Sequence, residues 1–504
     1  MALELRGITK QFPTVLANDD VSLSVAPGEI VALLGENGAG KTTLMNILFG
    51  LYSPDAGEVI IDGEQLELSS PGASIEAGVG MVHQHFMLVP VFTVAENVIL
   101  GLEPIKAFDW IDQKTAEQMV NAVSNRYNLS VDPKAMVEDI PVGVQQRVEI
   151  IKVLVREARY IIFDEPTAVL TPQEVDEFFG IIRGLSEDGK GVIFISHKLN
   201  EALEIADRIV VLRDGKSVGE ADPKTATQDQ LAEMMVGRPV ELVVKKDVAE
   251  PGDVVLSVED LVVLDDRDQR TVDGVSFQVR SGEIVGIAGV QGNGQTELVE
   301  SIVGMRPSLA GHVLMAGEDV TESSPRAIHR LGIAHVPEDR QESGLVLQFT
   351  VAENMVLDSY YDRPYSRGIQ MDWGVAIESS QRLVDEYDVK TTRVDVPVST
   401  LSGGNQQKVI VAREFDRDVK LVVASQPTRG VDVGSIEYIH ARIIEERDQG
   451  AAVLIVSSEL DEVMALSDRV LVMFEGQIAG EFDPSESGTT EIGLAMLGSR
   501  EPES

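Results

Sequence analysis

Gly35-Glu36-Asn37-Gly38-Ala39-Gly40-Lys41-Thr42-Thr43 follows directly after the apolar, β-branched run Ile30 to Leu34. Glycines in this spacing let the backbone curl so that N–H groups at the start of a helix point at phosphate oxygens. Within such a loop Lys41 binds the outer phosphates of a nucleotide and the Thr42 hydroxyl ligates Mg²⁺. A ligand-free Gly-rich turn is the alternative, and the strand-like run before the loop favours phosphate binding. The stretch therefore predicts a strand, a phosphate loop and a helix of an α/β domain.

Asp164 and Glu165 end a second apolar strand, Ile161-Ile162-Phe163. Ligands of an α/β sheet bind at strand ends, so these carboxylates are candidates for the same site. We assign Asp164 to the metal shell and Glu165 to the water that attacks the γ-phosphate. The alternative is a strand followed by a solvated acidic turn.

Three further residues fit a nucleotide site less specifically. Gln84 follows the strand-like run Val79 to Val82 and is a candidate for contact with the metal and the attacking water; the alternative is a surface loop. His197 follows the run Gly191 to Ser196 and is a candidate γ-phosphate donor, although a lone histidine is more often structural. Phe12 is a candidate for stacking on adenine, and a core residue is the alternative.

The chain repeats its motifs in the same order. Gly28 to Val31 recurs as Gly282 to Val285, and Thr93 to Asn97 recurs as Thr350 to Asn354. These repeats indicate a duplicated domain. The polar, turn-rich stretch 243–254 marks the junction, so two domains are predicted, residues 1–245 and 252–504.

The first half of the chain resembles, over its whole length, the ATPase domain of ATP-binding-cassette proteins. The resemblance rests on the order of Phe12, the phosphate loop, Gln84, Asp164-Glu165 and His197. The resemblance implies two tandem α/β P-loop ATPase domains, each with a mixed sheet, a phosphate-loop helix and a helical signature subdomain. It also implies that ATP and Mg²⁺ bind between the two domains, each phosphate loop facing the partner's signature segment, usually Leu-Ser-Gly-Gly-Gln. This single chain is then its own head-to-tail pseudo-dimer.

The second half keeps the order of these motifs but has different side chains at their functional positions. Its loop reads Gly289-Val290-Gln291-Gly292-Asn293-Gly294-Gln295-Thr296, so Gln295 replaces the lysine. Ser425 and Gln426 replace Asp164 and Glu165, Glu338 replaces Gln84, and Ser458 replaces His197. No aromatic residue stands near Asp266 to match Phe12. This half therefore predicts a degenerate site that does not cleave nucleotide.

The signature segments show the opposite pattern. Leu401-Ser402-Gly403-Gly404-Asn405 is a near-complete signature, whereas the first half offers Ile140-Pro141-Val142-Gly143-Val144. Asp432 resembles the aspartate of the D-loop, and Thr171 is its counterpart. A serine-capped helix is the alternative for Ser402 to Gly404. The intact loop would thus face the intact signature, and the degenerate loop the degenerate one.

The composition and net charge of the chain further limit the functions that it can have. The net charge of −41 disfavours broad contact with nucleic acid or anionic lipid, so no nucleic acid partner is expected. The absence of cysteine excludes disulfides, thiolate metal sites and cysteine nucleophiles. No apolar run is long enough to span a bilayer, and residues 1–10 lack the apolar core of a signal peptide. A role in transport therefore needs another polypeptide.

Several segments resemble the nucleoside branch of tandem importer ATPases: Met81 to Phe86, Pro141 to Arg147, Pro166 to Pro172 and Gly289 to Gln295. That resemblance implies two integral membrane permeases, an extracytoplasmic lipoprotein receptor and a peripheral place at the cytoplasmic face of the membrane. Simple-sugar import is the alternative, although Ser425-Gln426 departs from many sugar-importer ATPases. A soluble tandem ATPase of translation or DNA repair is a further alternative.

The segment after Gln84, residues 85–94, is unusually apolar for a loop. Such a patch commonly marks a contact surface, so it is the predicted coupling surface for a permease. The alternative is that these residues fill the core of their own domain.

Overall fold

The computed structural model describes residues 2–13, 15–66, 70–83, 86–105, 110–167, 170, 172–240, 246–368 and 370–498. Its contacts divide the chain into two compact units, Met1–Leu242 and Val243–Ser504.

The first unit alternates short strands with helices. Its described strands are β1 (Leu3–Phe12), β2 (Val15–Val25), β3 (Ile30–Gly35), β4 (Ala56–Ile61), β5 (Glu64–Leu66), β6 (Val79–Val82), β7 (Tyr160–Asp164), β8 (Gly191–Ile195), β9 (Arg208–Arg213) and β10 (Lys216–Ala221). Its described helices are α1 (Lys41–Leu48), α2 (Pro71–Glu76), α3 (Val94–Ile99), α4 (Gln113–Tyr127), α5 (Val142–Val155), α6 (Pro172–Glu187), α7 (Leu199–Ile205) and α8 (Gln228–Val236).

These strands form two sheets. The larger has the order β10-β9-β3-β8-β7-β6, with parallel pairs throughout except the antiparallel edge strand β10. The smaller is antiparallel, in the order β2-β1-β4-β5. One core cluster fills the space between the two sheets around α1, and the other packs α3 to α6 against the opposite face of the large sheet. The phosphate loop leaves β3 at the centre of the large sheet, where both cores support it.

The second unit repeats this plan. Its described strands are β11 (Val254–Leu264), β12 (Arg270–Arg280), β13 (Ile284–Ala288), β14 (Ser308–Met315), β15 (Glu318–Asp319), β16 (Ile333–Val336), β17 (Ser366–Arg367), β18 (Gln370–Met371), β19 (Leu421–Ser425), β20 (Ala452–Ser457), β21 (Arg469–Phe474) and β22 (Gln477–Phe482). Its described helices are α9 (Gln295–Ile302), α10 (Pro325–Arg330), α11 (Val351–Met355), α12 (Trp373–Glu386), α13 (Gly403–Phe415), α14 (Val433–Asp448), α15 (Leu460–Leu466) and α16 (Thr489–Met496).

The sheets of the second unit match those of the first. The large sheet runs β16-β19-β20-β13-β21-β22, and the antiparallel sheet runs β12-β11-β14-β15. The predicted fold class, a pair of α/β domains with mixed sheets, is confirmed. Each unit also folds a separate antiparallel sheet, in addition to the mixed sheet that the resemblance implies.

Among the described residues, no helix combines the length and apolar character that crossing a membrane requires.

Candidate nucleotide site

The phosphate loop of the first unit is held by the neighbouring strand β2. Gly40 has φ 97°, in the left-handed region, and a Cβ there would collide with the carbonyl oxygen of Ala17. The buried Asn18 side chain donates from Nδ2 to the Gly40 carbonyl oxygen at 3.1 Å. Only glycine satisfies both the backbone angle and this close approach. The loop is therefore fixed where α1 begins at Lys41.

Lys41 is buried inside the loop. Its Nζ donates to the carbonyl oxygens of Gly35 at 2.6 Å and Glu36 at 3.0 Å. Burial lowers the pKa of Lys41, and the nearby carboxylates of Glu165, Asp164 and Glu36 oppose that fall. An ammonium group held by its own loop is positioned for phosphate oxygens without a large rearrangement.

Asp164 ends β7 as a buried carboxylate that accepts no hydrogen bond from another described residue. Burial raises its pKa to about 6, the Glu165 charge adds to the rise, and Lys41 opposes it. A carboxylate in this state is stabilised by a cation. Mg²⁺ prefers oxygen ligands, and Asp164 together with the exposed Thr42 hydroxyl at the start of α1 offers them. The residues present therefore fit a magnesium ion.

Glu165 follows Asp164 in a left-handed conformation, φ 46°, with its N–H donating to the Ile195 carbonyl oxygen at 3.0 Å. Its Oε1 lies 3.3 Å from Nδ1 of His197. Burial alone would raise the pKa of Glu165, but the hydrogen bond and charge of His197, with Lys41 and Lys198, bring the pKa below its ordinary value. Glu165 is thus an ionised carboxylate, as a base for water must be. His197, a predicted phosphate donor, contacts this base directly.

Phe12 lies at the end of β1, half-buried and outside the core clusters of its unit. Its ring packs edge to face on Tyr52, with ring centroids 5.6 Å apart, and Tyr52 is itself exposed. Lys10 Nζ also lies over the Phe12 ring, 5.8 Å from its centroid. Tyr52 was not predicted as a site residue, because no recognisable motif surrounds it after α1.

Two predicted residues, Gln84 and Thr171, lie outside the described residues. The apolar segment after Gln84 divides into two groups where it is described. Leu88 packs against the core, whereas Met87 and Val91 have 61% and 63% of their surface exposed. Leu88 therefore belongs to the core, while the contact surface at the exposed Met87 and Val91 stays a prediction.

The second phosphate loop reproduces the backbone of the first. Gly294 has φ 99°, and a Cβ there would collide with the Thr271 carbonyl oxygen, as at Gly40. Gln295 is buried in the position of Lys41, and its Nε2 donates to the Val290 carbonyl oxygen at 3.2 Å. The loop keeps a neutral donor where the first unit has a positive charge.

At the end of β19 the second unit also keeps the backbone. Gln426 has φ 48°, and its N–H donates to the Val456 carbonyl oxygen at 2.7 Å. Its Oε1 accepts from the N–H and Oγ of Ser458 at 3.3 and 3.2 Å, in the place of the Glu165–His197 contact. With Ser425 before it, the end of β19 has no carboxylate at the two positions that Asp164 and Glu165 occupy in the first unit.

Glu338 closes the second phosphate loop in a way the sequence does not show. Its carboxylate accepts from Thr296 Oγ1 at 2.9 Å, Gln291 Nε2 at 3.2 Å and Arg429 Nη1 at 2.7 Å. Thr296 is the counterpart of Thr42, the predicted metal ligand. The hydroxyl that would ligate a metal is therefore bound to an acidic side chain of the protein, and Arg429 balances the charge.

The signature of the second unit begins α13. Ser402 stands at the N-cap position, but its side chain makes no capping bond; Asn405 Nδ2 donates to Ser402 Oγ at 2.8 Å instead. A Cβ on Gly404 would collide with Ser435 and Asp432, so this glycine lets two helix starts approach. Asp432 caps α14 by accepting from the N–H of Ser435 at 2.9 Å. The serine-capped alternative is wrong, because the Ser402 hydroxyl is exposed at the helix start.

The first unit presents a different surface at the matching place. Pro141 precedes α5 without a side-chain cap, and Val142 is exposed. Gly143 lies against the Glu174 carboxylate, and Val144 continues the helix. This helix start has neither the hydroxyl nor the pair of glycines found at Ser402 to Gly404.

The family model described as "ABC transporter" matches residues 18–168 and 272–429. The chain therefore belongs to the ATP-binding-cassette transporter family, and it is an ATP-binding ATPase of that family.

Relatives match along nearly the whole chain. The guanosine import ATP-binding protein NupO of Bacillus subtilis is 50% identical over 99% of this chain and 98% of its own. The nucleoside import ATP-binding protein NupA of Lactococcus lactis is 49% identical over 98% of each chain. The glucose import ATP-binding protein TsgD13 of Haloferax volcanii is 43% identical over 98% of this chain and 96% of its own. A solved archaeal ribosome recycling factor, aABCE1 in complex with stalk protein aP1, matches 99% of this chain with TM-score 0.64 at 20% identity, which shows the fold alone.

Proposed function

We propose that the chain is the ATP-hydrolysing subunit of an importer that carries nucleosides through two separate integral membrane permeases. A lipoprotein receptor outside the membrane delivers the cargo, and this chain binds the permeases at the cytoplasmic face. The observation that carries this proposal is the similarity to two nucleoside import proteins, 50% and 49% identical over nearly the whole chain.

Each chain hydrolyses ATP at one site. Lys41 and the loop N–H groups bind the phosphates, and Phe12 with Tyr52 stacks on the base. The Thr42 hydroxyl, Asp164 and Gln84 hold Mg²⁺, which when bound supplies positive charge to the phosphates. Glu165 takes a proton from the attacking water, since it is ionised and lies against His197. The charges of both carboxylates oppose the fall in the pKa of Lys41, and this electrostatic influence supports the assignment.

The signature of the second unit completes that site. Ser402, Gly403, Gly404 and Asn405 present a hydroxyl and a helix start to the γ-phosphate, and Asp432 lies beside them. The exposed Ser402 hydroxyl and the glycine-dependent approach at Gly404 support this role. The degenerate loop around Gln295 then faces Pro141 to Val144 and holds the two units together without cleavage.

Cargo uptake is the direct test of the importer. The chain, reconstituted in proteoliposomes with its two permeases and its receptor, is expected to accumulate labelled guanosine or uridine when ATP is present on the chain's side. Labelled ribose and glucose serve as competing cargoes, because glucose and ribose import proteins are 43% identical to this chain. Sugar uptake without nucleoside uptake would reject the cargo and leave the ATPase assignment standing.

The coupling surface of the first unit is tested at its exposed residues. Met87→Ser with Val91→Ser is expected to abolish most transport while the ATPase rate of the isolated chain stays within about 2-fold, since exposed apolar side chains contribute to contacts rather than to folding. Leu88→Ser is the comparison variant. Its side chain packs on the core, so it should lower stability as well.

A further inference from the structure

Asn405 makes two hydrogen bonds at the start of α13, and together they fix the direction of its amide group. Its Oδ1 accepts from the backbone N–H of Lys390 at 2.7 Å, and its Nδ2 donates to Ser402 Oγ at 2.8 Å. A backbone N–H can only donate, so the amide oxygen faces Lys390 and the amide nitrogen faces Ser402. The orientation of the Asn405 amide is therefore set by the backbone of Lys390.

This orientation determines what the Ser402 hydroxyl can do. A hydroxyl has one proton to donate and two lone pairs with which to accept. Because Asn405 Nδ2 occupies one lone pair of Ser402 Oγ, the hydroxyl proton is directed away from Asn405. Ser402 does not accept from the N–H groups of α13 as a capping serine would, and it is exposed at the helix start. A donor in this position suits an anionic acceptor such as a phosphate oxygen.

The turn that holds Asn405 is attached to α13 a second time. The buried Lys408 donates from Nζ to the carbonyl oxygen and to Oδ2 of Asp388, both at 2.9 Å. Asn405 and Lys408 are three residues apart, so they lie on the same face of the helix. Asn405, Lys408 and the turn at 388–390 are together called the α13 clamp. The clamp holds the Asn405 amide in place from both ends of the turn.

The first unit does not build this clamp. In the repeat, Val144 and Arg147 of α5 stand where α13 has the two clamp side chains. A valine side chain neither donates nor accepts a hydrogen bond, and Arg147 pairs with Glu177 of α6 at 2.7 Å. The structure describes all of α5, and there the helix start carries Pro141 in place of the serine. The clamp thus accompanies the signature that has a hydroxyl to orient, whereas a device needed only for folding would be expected in both units.

We propose that Asn405 is a positioning residue for ATP hydrolysis, whose clamped amide directs the Ser402 hydroxyl proton toward the γ-phosphate. The proposal rests on the proposed function, in which this signature completes the hydrolytic site. A donor that is oriented before the nucleotide arrives does not have to be ordered during the reaction, and this favours the transition state. Asn405 acts through Ser402 in this role.

A double-mutant cycle on the full chain tests the role, with kcat and KM for ATP measured by phosphate release. Asn405→Ala is expected to lower kcat/KM about 3- to 10-fold in the parent chain, because the hydroxyl loses its fixed direction. The same substitution in a Ser402→Ala chain should change kcat/KM by less than about 2-fold, since no hydroxyl is left to orient. Asn121→Ala, at an exposed asparagine of α4, is the control.

A second variant loosens the clamp without changing the signature segment. Lys408→Met removes the attachment to Asp388 and keeps an apolar stem, so it should lower kcat/KM about 2- to 5-fold in the parent chain and less than about 2-fold in the Ser402→Ala chain. Arg147→Met, the matched change in the first unit, should stay within about 2-fold in both. Thermal unfolding of every variant is measured alongside, because a loss of stability would act in both backgrounds.

The cycle separates the possible failures. A loss of equal size in the two backgrounds would overturn the proposal, because Asn405 would then act independently of the hydroxyl. An unaffected Asn405→Ala, in a chain that loses activity on Ser402→Ala, would overturn the positioning role and leave the proposed function standing. If Ser402→Ala itself leaves kcat/KM unchanged, the role of this signature in the proposed function fails together with the proposal.

Discussion

The two phosphate loops of this chain have nearly the same backbone and different side-chain chemistry. The glycine before each helix has φ 97° in one loop and 99° in the other, and the residue after each strand end, Glu165 or Gln426, has φ 46° or 48°. Steric contacts with Ala17 and Thr271 impose the glycines in both units. Folding therefore retains the loop geometry even where the lysine and the two carboxylates of the first unit are replaced.

The second phosphate loop lacks the lysine of the first, and it has a set of side-chain contacts around Glu338. Glu338 binds Thr296 and pairs with Arg429, whose carbonyl oxygen accepts from Arg340 Nη1 at 2.7 Å. Arg340 in turn donates to the Gly430 carbonyl oxygen at 3.3 Å, beside Gly403 of the signature. Hydrogen bonds thus connect the degenerate loop to the signature of its own unit. A loop that had only lost its functional side chains would not require these bonds.

Substitution of the proposed base should give the largest difference in ATP turnover between the two units. Glu165→Gln should lower ATP turnover by about 10²- to 10⁴-fold and preserve ATP binding, because the amide cannot accept the proton from water. Gln426→Ala, the matching change in the second unit, should leave turnover within about 2-fold. Steady-state phosphate release and equilibrium nucleotide binding measure both, and an equal loss in the two variants would refute the assignment of one hydrolytic site.

The signatures give the next contrast. Ser402→Ala should lower kcat/KM about 10- to 100-fold, because a hydrogen bond to a charged phosphate is worth about 1.5–3 kcal/mol. Pro141→Ala at the matching helix start should change kcat/KM by less than about 2-fold. A larger effect at Pro141 would mean that the loop around Lys41 does not use the second signature.

The aromatic pair should have a smaller effect that is confined to binding. Phe12→Ala should raise the Kd for ATP about 5-fold, the lower end of what base stacking on an aromatic ring contributes, and leave kcat nearly unchanged. Trp110→Ala removes an exposed aromatic ring elsewhere in the unit and serves as the control. Unchanged ATP affinity in Phe12→Ala would place adenine elsewhere.

Glu338 should give the smallest effect. In a Lys41→Ala background, where the first site is weakened, Glu338→Gln should tighten nucleotide binding at the second loop about 3-fold, since it removes a negative charge from the phosphate position. Binding of a fluorescent ATP analogue measures the change, and Glu342→Gln controls for the loss of a nearby exposed charge. Weaker binding instead would indicate that the Glu338 carboxylate takes part in holding the nucleotide, for example through a metal ion.

The sequence by itself determined the fold class, the duplication and the chemical difference between Lys41 and Gln295. These features depend on short-range patterns: glycine spacing, apolar runs and the identity of one side chain at a fixed position. The sequence did not reveal the antiparallel sheets, because strands such as β1 and β4 pair across a long stretch of intervening chain.

The partners of each site residue depend on tertiary contacts and do not follow from the local sequence. Tyr52 packs on Phe12, Arg429 pairs with Glu338, and Asn405 donates to Ser402. The tertiary structure also divided the apolar segment after Gln84 into the buried Leu88 and the exposed Met87 and Val91. The physical reason is that burial, charge balance and contact depend on residues far apart in the chain, whose approach is set by the packing of whole elements rather than by local spacing.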